Sequence, residues 1–98
     1  MNHLMCRVQN FEIVGPHTIR IGFDDCTEQT IHFQPVLRGE LYGPLSDPAY
    51  FERVTLDSEV GTLVWPNGAD FDPATLHEWP KCERAFVEMA SKWELQMA

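Results

Sequence analysis

The sequence predicts an α+β domain: a small antiparallel sheet, made of a three-strand N-terminal meander plus a second hairpin, with short helices and a C-terminal amphipathic helix. Three observations predict it. Apolar and polar residues alternate with period two near the N-terminus, two Asp-Pro pairs spell helix starts, and the last fifth of the chain changes to a helical period. A chain of 98 residues buries about two-thirds of its unfolded surface and has little left for a second core. We therefore expect one α+β domain over residues 1–79 and a helical extension over 80–98, packed on the domain or used for oligomerisation.

The clearest strand is the second. His17, Ile19, Ile21 and Phe23 alternate with Thr18, Arg20, Gly22 and Asp24, which sets one face on a core and the other toward solvent. Before it, Val8, Phe11 and Ile13 form a less regular strand whose phase slips at Gln9-Asn10, where a bulge fits, and Gly15-Pro16 marks the join. Asp24-Asp25-Cys26-Thr27 then reads as a tight turn into a third strand that carries Ile31 and Phe33 inward.

Pro35 and Gly39 close the meander, and RGELYGPLSDP reads as a loop leading to a helix over about 48–53. Asp47 is placed to cap that helix, Pro48 fits its first position, and Tyr50 and Phe51 anchor it. Val54 and Leu56 alternate with Thr55 and Asp57; a turn from Ser58 to Gly61 and a strand from Thr62 to Trp65 complete a hairpin. In the stretch WPNGADFDPATLHEW, Asn67-Gly68 supplies residues that tolerate positive φ in a turn. Asp72-Pro73 repeats the helix start, with Phe71 and Leu76 at the two positions of a hydrophobic staple. From Pro80, Cys82, Phe86, Met89 and Trp93 recur at spacings of four, three and four, an apolar stripe on a helix of about 16 residues. Packing against the sheet is its expected role. The other reading is a homodimer joined through this helix, along Met89, Trp93 and Met97.

The net charge is -8. All of it falls on residues 1–79, because the acids and bases of 80–98 cancel. An acidic body repels phosphate backbones and attracts basic protein surfaces, so direct nucleic-acid binding is not expected. The chain has no long apolar run and its first residues lack a basic leader, which points away from a membrane and toward a cytoplasmic protein. Cys6, Cys26 and Cys82 are odd in number and lack a C-x-x-C pair, so neither a disulfide framework nor a zinc knuckle is expected.

Asp70, Asp72, His77 and Glu78 supply oxygen and nitrogen ligands for a metal on paper. Asp72, however, is accounted for as a cap and Asn67 as a turn residue, and a mononuclear site wants three or four ligands in fixed geometry. No G-x-S-x-G, Gly-rich phosphate loop or H-E-x-x-H is present. Cys26 lies among Asp24, Asp25 and Glu28, whose charge disfavours a reactive thiolate. His3, His17 and His32 join no triad legible in the sequence. Asp70 and Trp65 are left without a sufficient structural explanation.

The segments F-D-D and RGELYGPLSDPAYFERVTLDSEVGTLVWPNGADFDPATL resemble the DUF2442 family of small bacterial domains over roughly residues 8–78. The most specific part is Gly61-Thr62, Trp65-Pro66-Asn67-Gly68-Ala69-Asp70, and Pro73 with Leu76; Leu45, Asp47, Pro48 and Phe51 add to it. Cys26 stands where the family pattern has a glycine in its first hairpin turn. The helix-turn-helix that follows the domain in some relatives has no room in the roughly 19 residues after Trp79. The resemblance implies a compact α+β domain with no established catalytic residues. It also implies genes often adjacent to those of another small family, DUF4160, in arrangements suggestive of a toxin–antitoxin pair.

The leading expectation is therefore a non-enzymatic, cofactor-free module that binds and regulates a protein partner, through Trp65, Asn67, Asp70, Tyr42 and Tyr50. Its rival is a small metal-dependent enzyme using Asp70 and His77.

Overall fold

Period-two alternation becomes a three-stranded antiparallel sheet in the computed structural model, which describes residues 7–97 and, among them, the side chains of residues 7–92. Strands β1 (Val8–Gly15), β2 (Thr18–Phe23) and β3 (Glu28–His32) pair in chain order. Phe11 faces Ile21 and Ile13 faces Ile19 across β1 and β2, and Ile31 faces Ile19 across β2 and β3, so these residues share one face. The register of β1 slips between Val8 and Asn10, the bulge expected at Gln9, and again between Ile13 and Gly15. His17 closes the β1–β2 turn with φ of 51° and is buried, its Nε2 2.8 Å from the Ser46 carbonyl oxygen and its ring edge-on to Phe51.

The second hairpin pairs β4 (Thr55–Asp57) with β5 (Thr62–Val64). It is tied to the sheet where the Val8 amide donates to the Gly61 carbonyl (2.8 Å). Gly61 takes φ of 78°, and an added Cβ would lie 3.0 Å from Arg7 Cζ, so the turn needs glycine both for its conformation and for space.

The stretch RGELYGPLSDP, residues 38–48, departs from the loop expected. It holds a helical turn, α1 (Gly39–Tyr42), and a 3₁₀ turn, Gly43–Ser46, after an earlier 3₁₀ turn at Gln34–Val36. Glycines at 39 and 43 and Pro44 hide this from propensity. What holds these turns is burial, since Val36, Leu37 and Leu45 are all enclosed in the core. Helix α2 (Pro48–Phe51) is shorter than the 48–53 expected, with Asp47 Oδ1 accepting from the Ala49 amide at 3.2 Å. Helix α3 (Pro73–His77) is capped in the same way, the Asp72 carboxylate accepting from the Thr75 amide at 3.3 Å.

Helix α4 (Trp79–Met97) packs on α1, on α3 and on the Gln34–Val36 turn. Its inward stripe differs from the one expected. Trp79 and Ala90 are buried and Phe86 and Val87 partly so, whereas Met89 is 48% exposed. Ala90 offers no bulk between helix and core, so the backbone approaches there and Met89 is turned outward. The side chains of Trp93 and Met97, and residues His3 and Cys6, lie outside what the structure describes.

One aromatic cluster joins all parts. Phe33, at the end of β3, has its ring centroid 6.0 Å from Phe51, 6.3 Å from Trp65, 5.1 Å from Phe71 and 5.6 Å from Trp79, the separations at which aromatic rings attract beyond simple burial. No buried side-chain nitrogen or oxygen lacks a hydrogen-bond partner among the described residues. Nor is any helix there long and apolar enough to cross a membrane.

Candidate functional site

The WPNGAD turn is built from its own backbone. Gly68 N–H donates to the Trp65 carbonyl and Trp65 N–H to the Ala69 carbonyl, both at 2.9 Å, while Asn67 Oδ1 accepts from the Ala69 amide at 3.0 Å. Gly68 alone of the Asn67-Gly68 pair takes positive φ, 90°. The β2–β3 turn repeats the pattern bond for bond. Cys26 N–H donates to the Phe23 carbonyl (3.1 Å), Phe23 N–H to the Thr27 carbonyl (2.9 Å), and Asp25 Oδ1 accepts from the Thr27 amide (3.1 Å). Cys26 occupies the position of Gly68 and takes φ of 71°. The turn geometry is thus kept despite the cysteine, at the cost of a strained backbone.

Each side chain of the WPNGAD turn can now be placed. Trp65 is 3% exposed and its Nε1–H donates to the Phe51 carbonyl at 2.9 Å, so its role in the core accounts for it. Asn67 spends both ends of its amide on the fold, the oxygen within the turn and Nδ2 on the Leu41 carbonyl at 2.9 Å. Tyr42 donates its hydroxyl to the Asp70 carbonyl at 2.7 Å and stacks on Phe71 at 4.9 Å. Burial, with Asp70's charge as a second cause, holds the Tyr42 phenol above its ordinary value of 10.0, so it stays a neutral donor at physiological pH.

Two hydrogen bonds thereby rivet α1 to the turn and make one ridge. On it Leu41 is 45% exposed and the Asp70 carboxylate points to solvent, with no hydrogen bond or ion pair to it among the described residues. Tyr50 is half-buried with the Arg53 guanidinium 5.5 Å from its ring centre, and no hydrogen bond or ring contact joins it to the ridge.

The histidine of the stretch belongs to a different cluster. His77 Nε2 lies 2.7 Å from Asp25 Oδ2 and Nδ1 lies 2.6 Å from Glu78 Oε2. Thr27 Oγ1 is 3.1 Å from Nε2, and Phe23 meets the imidazole edge-on at 4.9 Å. The Thr27 hydroxyl first, then its amide, and then His77 hold the Asp25 carboxyl at about 2. Burial disfavours a charged His77, but the hydrogen bonds it donates to Asp25 and Glu78 outweigh it and the proton is held above the ordinary 6.5. Asp25 and His77 are 52 residues apart, too far for local spacing in the sequence to pair them.

The four residues considered as metal ligands are thus divided among three tasks: Asp70 on the ridge, Asp72 in a cap, and His77 with Glu78 in an ion-pair cluster. Among the described residues no group of three or more His, Cys, Asp or Glu side chains is arranged to hold a metal ion.

Fold and ridge together define a small α+β domain whose Asp-Pro caps, paired turns and Trp-Pro-Asn-Gly-Ala-Asp strand end, anchored by buried Trp65 and Ala69, form one framework. The chain belongs to the DUF2442 family, described as a protein of unknown function, whose model matches residues 8–81. No curated protein matches the chain. No solved structure matches it either.

Proposed function

We propose that this domain is a non-enzymatic module that binds and regulates a protein partner, with the ridge of Leu41, Tyr42, Asn67 and Asp70 as its docking face. The observation that carries the reading is the Asp70 carboxylate: every other polar side chain of the turn is spent on the fold, while this one has no partner among the described residues and stands beside exposed Leu41. An apolar contact beside a fixed charge is the make-up of an interface centre, and the ridge is rigid before a partner arrives, which lowers the ordering cost of binding. The net charge of -8 favours a basic partner and speeds the encounter at low salt.

The DUF4160-type neighbour suggested by the resemblance is the partner we name, with this chain as the neutralising member of the pair in a bacterial cytoplasm. Co-expression with the adjacent gene product, followed by gel filtration with light scattering, tests it. The expected result is a complex that weakens as salt rises and is lost on replacing Leu41 and Asp70 together by alanine. Absence of any complex at low salt overturns the reading.

A further inference from the structure

We propose that His77 is a proton-gated clip: its doubly protonated ring fastens the α3–α4 joint to the β2–β3 turn, and loss of a proton lets that joint lift from the sheet. The geometry requires this of the ring. Both imidazole nitrogens lie within 2.7 Å of a carboxylate oxygen, Nε2 of Asp25 and Nδ1 of Glu78. Only the imidazolium has a hydrogen to give at each; the neutral ring turns one lone pair onto an oxygen of its own sign of charge.

The clip also joins two separate parts of the chain. Asp25 and Thr27 belong to the β2–β3 turn, while His77 and Glu78 end α3 and precede α4. Proton-independent ties run beside it: Gln29 Nε2 on β3 donates to the His77 carbonyl at 2.8 Å, and Leu76 and Trp79 on either side of the joint are buried. Among the described residues, the groups around the ring come from each neighbouring element. The turn contributes Asp25 and Thr27, β2 the uncharged Phe23 ring, β3 Gln29, and the α3–α4 joint Glu78, with Lys81 of α4 3.3 Å from the other Glu78 oxygen. Lys81 draws on Glu78 without bonding the ring, so when the proton leaves His77 a second partner stands ready for Glu78 and the joint has less to return to. The clip shares no residue with the ridge, and its test needs no partner.

The test is an NMR titration of the whole chain that follows the assigned His77 ring together with amide exchange. We expect His77 to titrate above 6.5. Across that step the protection factors of the Leu76, Glu78 and Cys82 amides, which bond to Asp72, Ala74 and Glu78, should fall by about tenfold or more, while those of Ile19 and Ile21 in β2 hold. Asp25→Asn keeps an oxygen for the turn but removes the charge, and should move both the ring titration and the protection step to lower pH; Glu78→Gln should do the same from the other nitrogen. Titration of His77 at or below 6.5, or joint protection that ignores it in the wild type and in both variants, overturns the proposal.

Discussion

The Trp65 indole nitrogen donates to the Phe51 carbonyl at 2.9 Å inside the core. That bond ties the second hairpin to α2, and it gives the most conspicuous residue of the WPNGAD stretch a structural task. Trp65→Phe keeps an aromatic ring but removes one of the two donors to the Phe51 carbonyl, leaving the Val54 amide at 3.3 Å, and should cost about 1 kcal/mol. Trp65→Ala, which also opens a cavity beside Phe33 and Phe71, should cost about 3–5 kcal/mol. Urea unfolding of the two variants checks both values; a Trp65→Phe protein as stable as wild type would show that the hydrogen bond contributes nothing.

Cys26 offers a gain instead. It holds φ of 71° at the place where the twin turn has Gly68 at 90°, and a left-handed conformation costs a residue with a Cβ roughly 1–2 kcal/mol. Cys26→Gly removes that strain and adds some freedom to the unfolded chain, which offsets part of the gain. A net stabilisation of about 1 kcal/mol, read as a rise in the urea midpoint at unchanged slope, is expected; a loss of stability would mean that the thiol is held by contacts worth more than the strain.

These two residues also mark where the sequence is readable. The meander, the hairpin and both Asp-Pro caps were legible because period-two alternation and cap chemistry act within a few residues. The twin turns were half legible: Asn-Gly announces its positive φ, whereas Cys26 adopts the same conformation because flanking strand pairs impose it. Helix α1 was hidden because its glycines and the following proline argue against a helix, and only the enclosing of Leu37 and Leu45 overrules them. Met89 and Ala90 could not be told apart as inward positions, since both fit a three-or-four spacing from Phe86 and the core chose the smaller. Of the candidate sites, the local roles of Asn67 and Asp72 were readable, but the Asp25–His77 pair spans 52 residues and no local rule reaches so far.

Asp72 caps α3 through the Thr75 amide, and Phe71 and Leu76, both buried, close the staple around it. Asp72→Ala should therefore cost about 1 kcal/mol, and Asp72→Asn much less, because the amide oxygen accepts the same bond. Thermal and urea unfolding measure this. Since the cap lies outside the ridge, partner binding by the folded Asp72→Ala protein should be unchanged; a binding loss without a stability loss would move Asp72 from the fold to the site.

The opposite behaviour is expected on the ridge. Asp70→Asn keeps the Tyr42 hydroxyl's bond, which goes to the main chain, so stability should stay within about 0.5 kcal/mol of wild type. Binding to a basic partner should weaken, with a slower association rate and a shallower dependence on salt. Leu41→Ala should weaken it mainly through faster dissociation. Surface plasmon resonance at two salt concentrations separates the two effects, and unchanged kinetics in both variants would remove the ridge from consideration.

The carboxylates and imidazole of the clip give stability two opposite slopes with pH. Asp25 is lowered from 3.8 to about 2 and Glu78 is lowered from 4.5. Their contributions are therefore present above those ordinary values and are lost as the pH falls through the folded ones. His77 is raised from 6.5, so its contribution is complete below 6.5 and is lost as the pH rises through the folded value. The clip should thus stabilise most between about 4.5 and 6.5. Because the chain's other acids also titrate, the informative quantity is the difference in unfolding free energy between wild type and Asp25→Asn at each pH. That difference should be largest in this window, shrink toward pH 2 as Asp25 itself protonates, and shrink again above 6.5 as His77 loses its proton. A difference that stays constant from 5 to 9 would mean that Asp25 acts only through Thr27 in its own turn and has no electrostatic hold on the helices.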